Sequence, residues 1–117
     1  MSHLDLYRRF GQVFYGDEIR NIWKPYLDDL VASMKRYNVG FEINTSPLRK
    51  GQIQPMPDEN IIKALKEAGV MTVTIGSDAH TPSDVGAGVE ESIQILKKIG
   101  VSSITLFDHR KPSMQKI

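Results

Sequence analysis

The stretch VMTVTIGSDAH, residues 70–80, decides how the rest of the sequence is interpreted. Its first six residues are apolar or β-branched and are bounded by glycines, which predicts a buried strand. Asp78 and His80 follow where that strand ends, and side chains two apart in an extended segment point to the same side. A carboxylate and an imidazole are common ligands of divalent metals. The same residue types are also ordinary in turns, which is the alternative interpretation.

Short apolar runs alternate with amphipathic segments along the rest of the chain. Two further strands are predicted over VGFEIN (39–44) and SSITLF (102–107). Helices are predicted, from helical spacing of apolar residues or from end signals, over DEIRNIWK (17–24), PYLDDLVASMKRY (25–37), PDENIIKALKEAG (57–69) and GVEESIQILKKIG (88–100). This alternation predicts an α/β fold of parallel strands with helical crossovers, as an open sheet or a barrel.

Reactive residues in such folds lie in the loops after the carboxyl ends of strands. Two predicted strands end in polar segments, NTSPLRKG (44–51) and GSDAH (76–80), and HLDL (3–6) is interpreted as the end of another strand. Parallel strands would bring these ends to one rim. The candidate residues grouped on this basis are His3, Asn44, Ser46, Arg49, Asp78 and His80.

Composition narrows the class of protein. The chain has 117 residues, a formal net charge of +1 and no cysteine, which excludes a disulfide framework, a thiol nucleophile and a zinc–thiolate site. The near-neutral charge gives no reason to expect nucleic acid or a membrane surface as a partner. The first residues lack the apolar core of a signal peptide, so a cytoplasmic location is expected.

Three separated segments resemble the histidinol-phosphate phosphatases of the PHP (polymerase and histidinol phosphatase) superfamily. They are HLDLYRRFG (3–11), FEINTSPLRKG (41–51) and VTIGSDAHTPSDVG (73–86), and the ending ITLFDHRKP (104–112) is also similar. The resemblance covers nearly the whole chain and corresponds to the carboxyl-terminal part of that family. It implies that residues 1–117 are a partial PHP domain, the carboxyl-terminal portion of a distorted (β/α)7 barrel.

The resemblance also implies a set of site residues. Zinc, manganese or iron ions, about three in the family's cluster, would be held here by His3, Asp78 and His80, with Asp78 and His80 at the catalytic centre. Phosphate would be bound by Arg8 or Arg9, by Arg49, and by Asn44 and Ser46 of the loop that matches the family's N-T-S-G-L-R motif. The substrate would be a small phosphate monoester, histidinol phosphate in histidine biosynthesis.

Three departures from the family pattern weaken the expected activity. Pro47 replaces a glycine, Ser2 replaces the glycine before the first histidine, and the family's earlier histidine and glutamate ligands have no counterpart among these residues. Three ligands can hold one metal ion but not three. We therefore expect little or no phosphatase activity from this chain alone. We also expect its open sheet edges to associate, with a second copy or with a complementing amino-terminal fragment.

Two other functions remain open at this stage. One is a different PHP phosphoesterase, acting on nucleotides or attached to a DNA polymerase, although the NTS-x-LRK loop and the FDHRKP ending favour the histidinol-phosphate branch. The other belongs to a different class: a non-catalytic remnant that binds metal or phosphate, or serves in assembly.

Overall fold

The computed structural model describes all residues from Met1 to Ile117 and shows a mixed α/β protein, as the sequence predicts. The helices are α1 (Leu6–Tyr15), α2 (Leu27–Arg36), α3 (Ser46–Arg49), α4 (Glu59–Glu67) and α5 (Val89–Lys98), with short 3-10 helices at Gly16–Asn21, Lys24–Tyr26 and Pro82–Asp84. The strands are β1 (Phe41–Asn44), β2 (Val73–Gly76), β3 (Ser103–Asp108) and β4 (Lys111–Lys116). None of the helices is long and apolar enough to traverse a lipid bilayer.

Strands β1 and β2 form a parallel pair, and helix α4 lies on the connection between them. Phe41 is opposite Val73 and Asn44 is opposite Gly76, so the two strands end at the same level. The predicted parallel pairing of these two strands is confirmed. Their following loops therefore begin side by side, which is the requirement for a site built from both.

The apolar core lies between this sheet and the helices that pack against it. Ile43 and Val73 point into it from the strands, Ile62 and Leu65 from α4, and Leu96 from α5, all nearly inaccessible to solvent. Asp58 is the N-cap of helix α4. Its carboxylate accepts hydrogen bonds from the backbone N–H groups of Asn60 and Ile61, which have no partner within the helix. The core thus fixes the strands whose ends carry the polar loops.

At the amino terminus, Met1 is the residue that forms backbone hydrogen bonds with the free edge of β1. The Met1 amino group donates to the Gly40 carbonyl (2.7 Å), and the Glu42 N–H donates to the Met1 carbonyl (2.9 Å). The chain then turns at His3, whose φ of 54° lies in the left-handed region, and enters α1. The prediction that HLDL ends a strand is therefore wrong, and helix α1 was not predicted.

The third predicted strand exists, but its pairing differs from the prediction. β3 pairs with β4 in an antiparallel hairpin, in register from Ser103–Lys116 to Asp108–Lys111, rather than in parallel with β1 or β2. The two turn residues, His109 and Arg110, have φ values of 46° and 66°. Positive φ at both positions matches the twist of a hairpin. The usual Asn-Gly signal is missing, so the sequence pattern did not reveal this turn.

A buried ion pair fastens α1 to the start of α4. The Arg8 Nε lies 3.0 Å from Asp5 Oδ2, and the same oxygen accepts a hydrogen bond from the Asp58 N–H (3.1 Å). The Arg8 guanidinium also donates to the Pro55 carbonyl. Burial raises the pKa of Asp5, against the opposing effect of the Arg8 charge. Burial, together with the charges of Asp5 and Asp58, also raises the pKa of Tyr7 to about 12.

This buried pair has an exposed counterpart with the same spacing, which gives a matched stability test. Arg8→Met leaves the Asp5 carboxylate buried without its partner, so we expect a loss of about 3–5 kcal/mol in the free energy of unfolding. Arg20→Met removes the exposed pair between Arg20 and Asp17 (2.8 Å) and should cost at most about 1 kcal/mol. Urea unfolding followed by circular dichroism measures both. Equal losses in the two variants would contradict the structural role of the buried pair.

Candidate active site at the strand ends

An open polar cavity lies at the carboxyl ends of β1 and β2. Its volume is about 420 Å³, and no hydrophobic residue lines it. The lining residues are Arg9, Ser46, Arg49, Lys50, Asp78, His80 and Asp84. Five of these were singled out from the sequence, and they come from α1 and from the loops after both strands. The predicted convergence of distant segments on one rim is therefore seen for these residues.

The loop after β1 is held rigidly by its own polar groups. The Ser46 N–H donates to Asn44 Oδ1 (2.9 Å), which closes a local turn just before the short helix α3. The Thr45 N–H donates to the Gly76 carbonyl at the end of β2 (2.9 Å), and its hydroxyl donates to the Ala87 carbonyl. Asn44 and Thr45 are fully buried. They brace the loop against β2 and the segment before α5, a role that the sequence pattern did not indicate.

Asp78 is the carboxylate of the cavity, and its environment favours the ionised form. Its pKa is lowered below the usual range, chiefly by hydrogen bonding from the Asn44 side chain, then by Ser46 and by the charges of His80 and His3. Partial burial opposes this shift. The Asn44 Nδ2 is buried beside Asp78 and has no other hydrogen-bond acceptor. Asp78 has a φ of 50°, a conformation that concentrates at functional sites when found in a non-glycine residue.

His80 is exposed, and one of its ring nitrogens is already engaged. Its Nδ1 lies 2.8 Å from the Asp78 backbone carbonyl, which leaves Nε2 free on the solvent side. An imidazole held in this way by a carbonyl is a typical arrangement of a metal-ligating histidine. The donor set of carboxylate and imidazole therefore fits a divalent metal.

His3 lies outside the residues that line the cavity, although its charge contributes to the lowered pKa of Asp78. No three histidine, aspartate or glutamate side chains of the chain form a group that could hold a metal ion. The structure thus places Asp78 and His80 together, with His3 nearby but not closing a three-ligand site. The metal site remains a prediction.

The arginines divide between the cavity and the protein interior. Arg9 lines the cavity, whereas its neighbour Arg8 is buried in the ion pair with Asp5 and lines a different cavity. Arg49 lies at the cavity and donates to the backbone carbonyls of Ser77 and Asp78, the second at 3.1 Å. Arg49 therefore holds the segment that carries Asp78 and His80, in addition to presenting positive charge.

Two residues of the cavity were not singled out from the sequence. Asp84 Oδ1 lies 3.5 Å from the Arg49 Nε and so helps to orient that guanidinium. Lys50 is exposed at the rim and adds a third cationic side chain beside Arg9 and Arg49. The only sequence signal for Lys50 was its place directly after Arg49 at a strand end.

The fold and the cavity together define an α/β protein with a polar, predominantly cationic site at the ends of parallel strands. Comparison with curated proteins specifies the class further. The chain is 36% identical over 98 residues to a probable histidinol-phosphatase of Thermotoga maritima, an alignment covering 84% of this chain and 40% of that protein. It is 32% identical over 111 residues to a probable histidinol-phosphatase of Schizosaccharomyces pombe, covering 92% of this chain and 36% of the relative.

A probable histidinol-phosphatase of Deinococcus radiodurans is 29% identical over 111 residues, covering 95% of this chain and 39% of that protein. No family model matches the chain. The chain is therefore a homologue of the histidinol-phosphatases, and the resemblance inferred from the three sequence segments is confirmed. It spans about two fifths of the length of the curated relatives it matches.

The environment of Asp78 gives a test of the site geometry. Replacing Asn44 by Ala removes the largest cause of the lowered pKa, so the pKa of Asp78 should rise toward its ordinary value. Since the folded pKa is the lower one, ionised Asp78 stabilises the fold above its unfolded pKa, and this contribution is lost as pH falls through the folded pKa. Carboxyl-detected NMR titration measures the shift. Asn60→Ala, an exposed position on α4, is the control; an unchanged pKa in Asn44→Ala would contradict the arrangement.

Proposed function

We propose that the chain carries the phosphate-binding part and part of the metal-binding centre of a histidinol-phosphatase, with a small phosphate monoester as substrate. The observation that carries this proposal is the polar cavity at the strand ends, where Arg9, Arg49 and Lys50 face Asp78 and His80. The names of the relatives supply the specific substrate, histidinol phosphate. In this proposal the parallel pair β1–β2 with its α4 crossover is the carboxyl-terminal portion of a PHP-type (β/α)7 barrel.

The cationic side chains would bind and orient the phosphoryl group. Three positive charges stand against the carboxylates of Asp78 and Asp84, so the cavity is net positive when His80 is neutral. A guanidinium can donate two parallel hydrogen bonds to phosphate oxygens, and a lysine adds a point charge. Arg49 is restrained by its contacts with the carbonyls after β2, so little motion is needed to present its remaining donors. These residues account for binding and orientation of the phosphate.

Asp78 and His80 would supply two ligands of a zinc, manganese or iron ion, and His3 would have to move toward them to supply a third. A bound divalent ion lowers the pKa of coordinated water and neutralises charge on the phosphoryl oxygens. On the protein side, hydrogen bonding from Asn44 and Ser46 lowers the pKa of the Asp78 carboxyl, and the carbonyl of Asp78 orients the His80 ring. Because three ligands cannot hold a cluster of three ions, hydrolysis by this chain alone should be weak.

A non-catalytic module that binds phosphate or metal is the second candidate function. The observation that favours it is that no three acidic or histidine side chains assemble into a metal-holding group. The cationic cavity would still bind a phosphate in that case. The two candidates therefore differ in hydrolysis and in metal content, and not in anion binding.

Anion binding can be tested with inorganic phosphate as the probe. Lys50→Met should weaken phosphate binding at least about tenfold, since a hydrogen bond to a charged group is worth about 1.5–3 kcal/mol. Lys97→Met, on the exposed side of α5, is the matched control and should leave binding unchanged. Phosphorus NMR or calorimetry measures the dissociation constants. Equal affinity in Lys50→Met and the unmodified protein would remove Lys50 from the site.

Hydrolysis is tested by phosphate release from histidinol phosphate in the presence of Mn²⁺ or Zn²⁺. We expect a turnover far below the ~10 s⁻¹ of a median enzyme, with Asp78→Asn abolishing what remains. A turnover near that median would show that the chain alone forms a competent centre. Phosphate binding without any hydrolysis or bound metal would instead support the non-catalytic module.

A further inference from the structure

A second polar cavity lies beside α1, and it shares no lining residue with the cavity at the strand ends. Its volume is about 520 Å³. Its lining comes mainly from Arg8 and Gln12, one turn apart on α1, from the loop 51–54 and from the start of α4. Ile53 is the one hydrophobic residue among the ten that line it. A cavity of this size and polarity suits a small polar ligand.

The Arg8 guanidinium reaches this cavity from the protein interior with one nitrogen unused. Only 8% of the Arg8 side chain is exposed. Its Nε donates to Asp5 Oδ2 and its Nη2 donates to the Pro55 carbonyl. Its Nη1 donates to no group of the chain and is not sealed from solvent. Arg8 therefore presents a nearly buried cationic donor to the cavity, in a position that its other two nitrogens fix.

Asp58 brings an unused anionic acceptor to the same cavity. The residue is 6% exposed, and its Oδ1 already accepts the N–H groups of Asn60 and Ile61. Its Oδ2 accepts no hydrogen bond from the chain and is not sealed from solvent. Arg8 and Asp58 are neighbours, because the Arg8 Nε and the Asp58 N–H donate to one oxygen of Asp5. They form no ion pair with each other, so both charges remain available to a third group.

Side-chain amides surround these two charges. Gln54 Oε1 accepts the Glu59 N–H (3.3 Å), which leaves the amide NH₂ of Gln54 free to donate. Gln12 and Gln52 are half-buried at the cavity, and an amide side chain can both donate and accept. The charged lining residues are two arginines and two carboxylates, so the lining is neutral overall. This balance favours a ligand that carries both charges over one that carries a net charge.

We propose that this cavity binds a free α-amino acid with a polar side chain. The α-carboxylate accepts from Arg8 Nη1, and the α-ammonium donates to Asp58 Oδ2. Both groups sit on one carbon of an amino acid, which matches two opposite charges that are adjacent but unpaired. A phosphate would instead place net negative charge beside Asp58 and Glu59, and a polyol would leave both charges without a charged partner. The site is separate from the strand-end cavity and does not depend on the function proposed for it.

The ligand class is tested by isothermal titration calorimetry with L-glutamine as the probe, since its side-chain amide can pair with those of the lining. We expect saturable binding with a submillimolar dissociation constant. N-acetyl-L-glutamine lacks the ammonium and L-glutaminamide lacks the carboxylate, so each should bind at least about tenfold more weakly. Glycerol and inorganic phosphate should not displace L-glutamine. No saturable binding at millimolar L-glutamine, or equal binding of the two blocked derivatives, overturns the proposal.

The role of Asp58 is tested by Asp58→Asn, which removes the charge from the free oxygen but keeps an equally good N-cap for α4. Affinity for L-glutamine should fall at least about tenfold, whereas that for N-acetyl-L-glutamine should not fall. Asp28→Asn, at an exposed position in the first turn of α2, is the matched control and should leave both affinities unchanged. Circular dichroism confirms that each variant is folded. Unchanged L-glutamine affinity in Asp58→Asn, or an equal loss for both compounds, overturns the assignment.

The independence of the two cavities is tested in the Lys50→Met variant, whose substitution lies in the strand-end cavity. It should bind L-glutamine with unchanged affinity, whatever its affinity for phosphate. Failure of phosphate binding at the strand ends would therefore leave L-glutamine binding intact. A parallel loss of L-glutamine affinity in Lys50→Met would show that both ligands use the strand-end cavity and would overturn a separate amino-acid site.

Discussion

The site depends on one constraint: the parallel strands β1 and β2 end at the same level. Asn44 and Gly76 stand opposite each other, and the hydrogen bond from the Thr45 N–H to the Gly76 carbonyl continues that alignment one step beyond the sheet. Because the two loops begin at one level, a side chain of the first can reach the backbone of the second. Arg49 does so, and the cavity forms between them. A shift in strand register would separate the cationic residues from the carboxylate and imidazole.

The sequence predicted those helices and strands whose regularly spaced apolar residues are buried in the core. The strands β1 and β2 and the helices α2, α4 and α5 lie within the predicted segments or overlap them closely, because their apolar residues face one core. The hairpin of β3 and β4 was missed for a local reason. His109 and Arg110 are unusual in a turn with positive φ, and the six residues of β4 are exposed, so no apolar alternation marks the strand.

The residues that line the candidate site were predictable in part, and the contacts that support them were less so. Strand ends indicated Arg49, Asp78 and His80. Adjacent arginines on one helix point in different directions, and the tertiary contacts of Arg8 with Pro55 and of Asp5 with Asp58 show that Arg8 is the buried one. The spacing of three between Asp5 and Arg8 was a readable signal of a helical ion pair. The brace formed by Asn44 and Thr45 depends on where buried amides and hydroxyls point, which no one-dimensional pattern records.

The position of Arg49 between the two loops has a thermodynamic consequence. Its guanidinium lines the cavity and also donates a hydrogen bond to the Asp78 carbonyl, in the segment that carries Asp78 and His80. An anion that competes for these donors changes the restraint on the carboxylate and imidazole, and a cation held by them changes the donors left for the anion. In the proposed function, the affinities for phosphate and for a divalent cation would therefore be linked through one side chain, by the same factor in both directions.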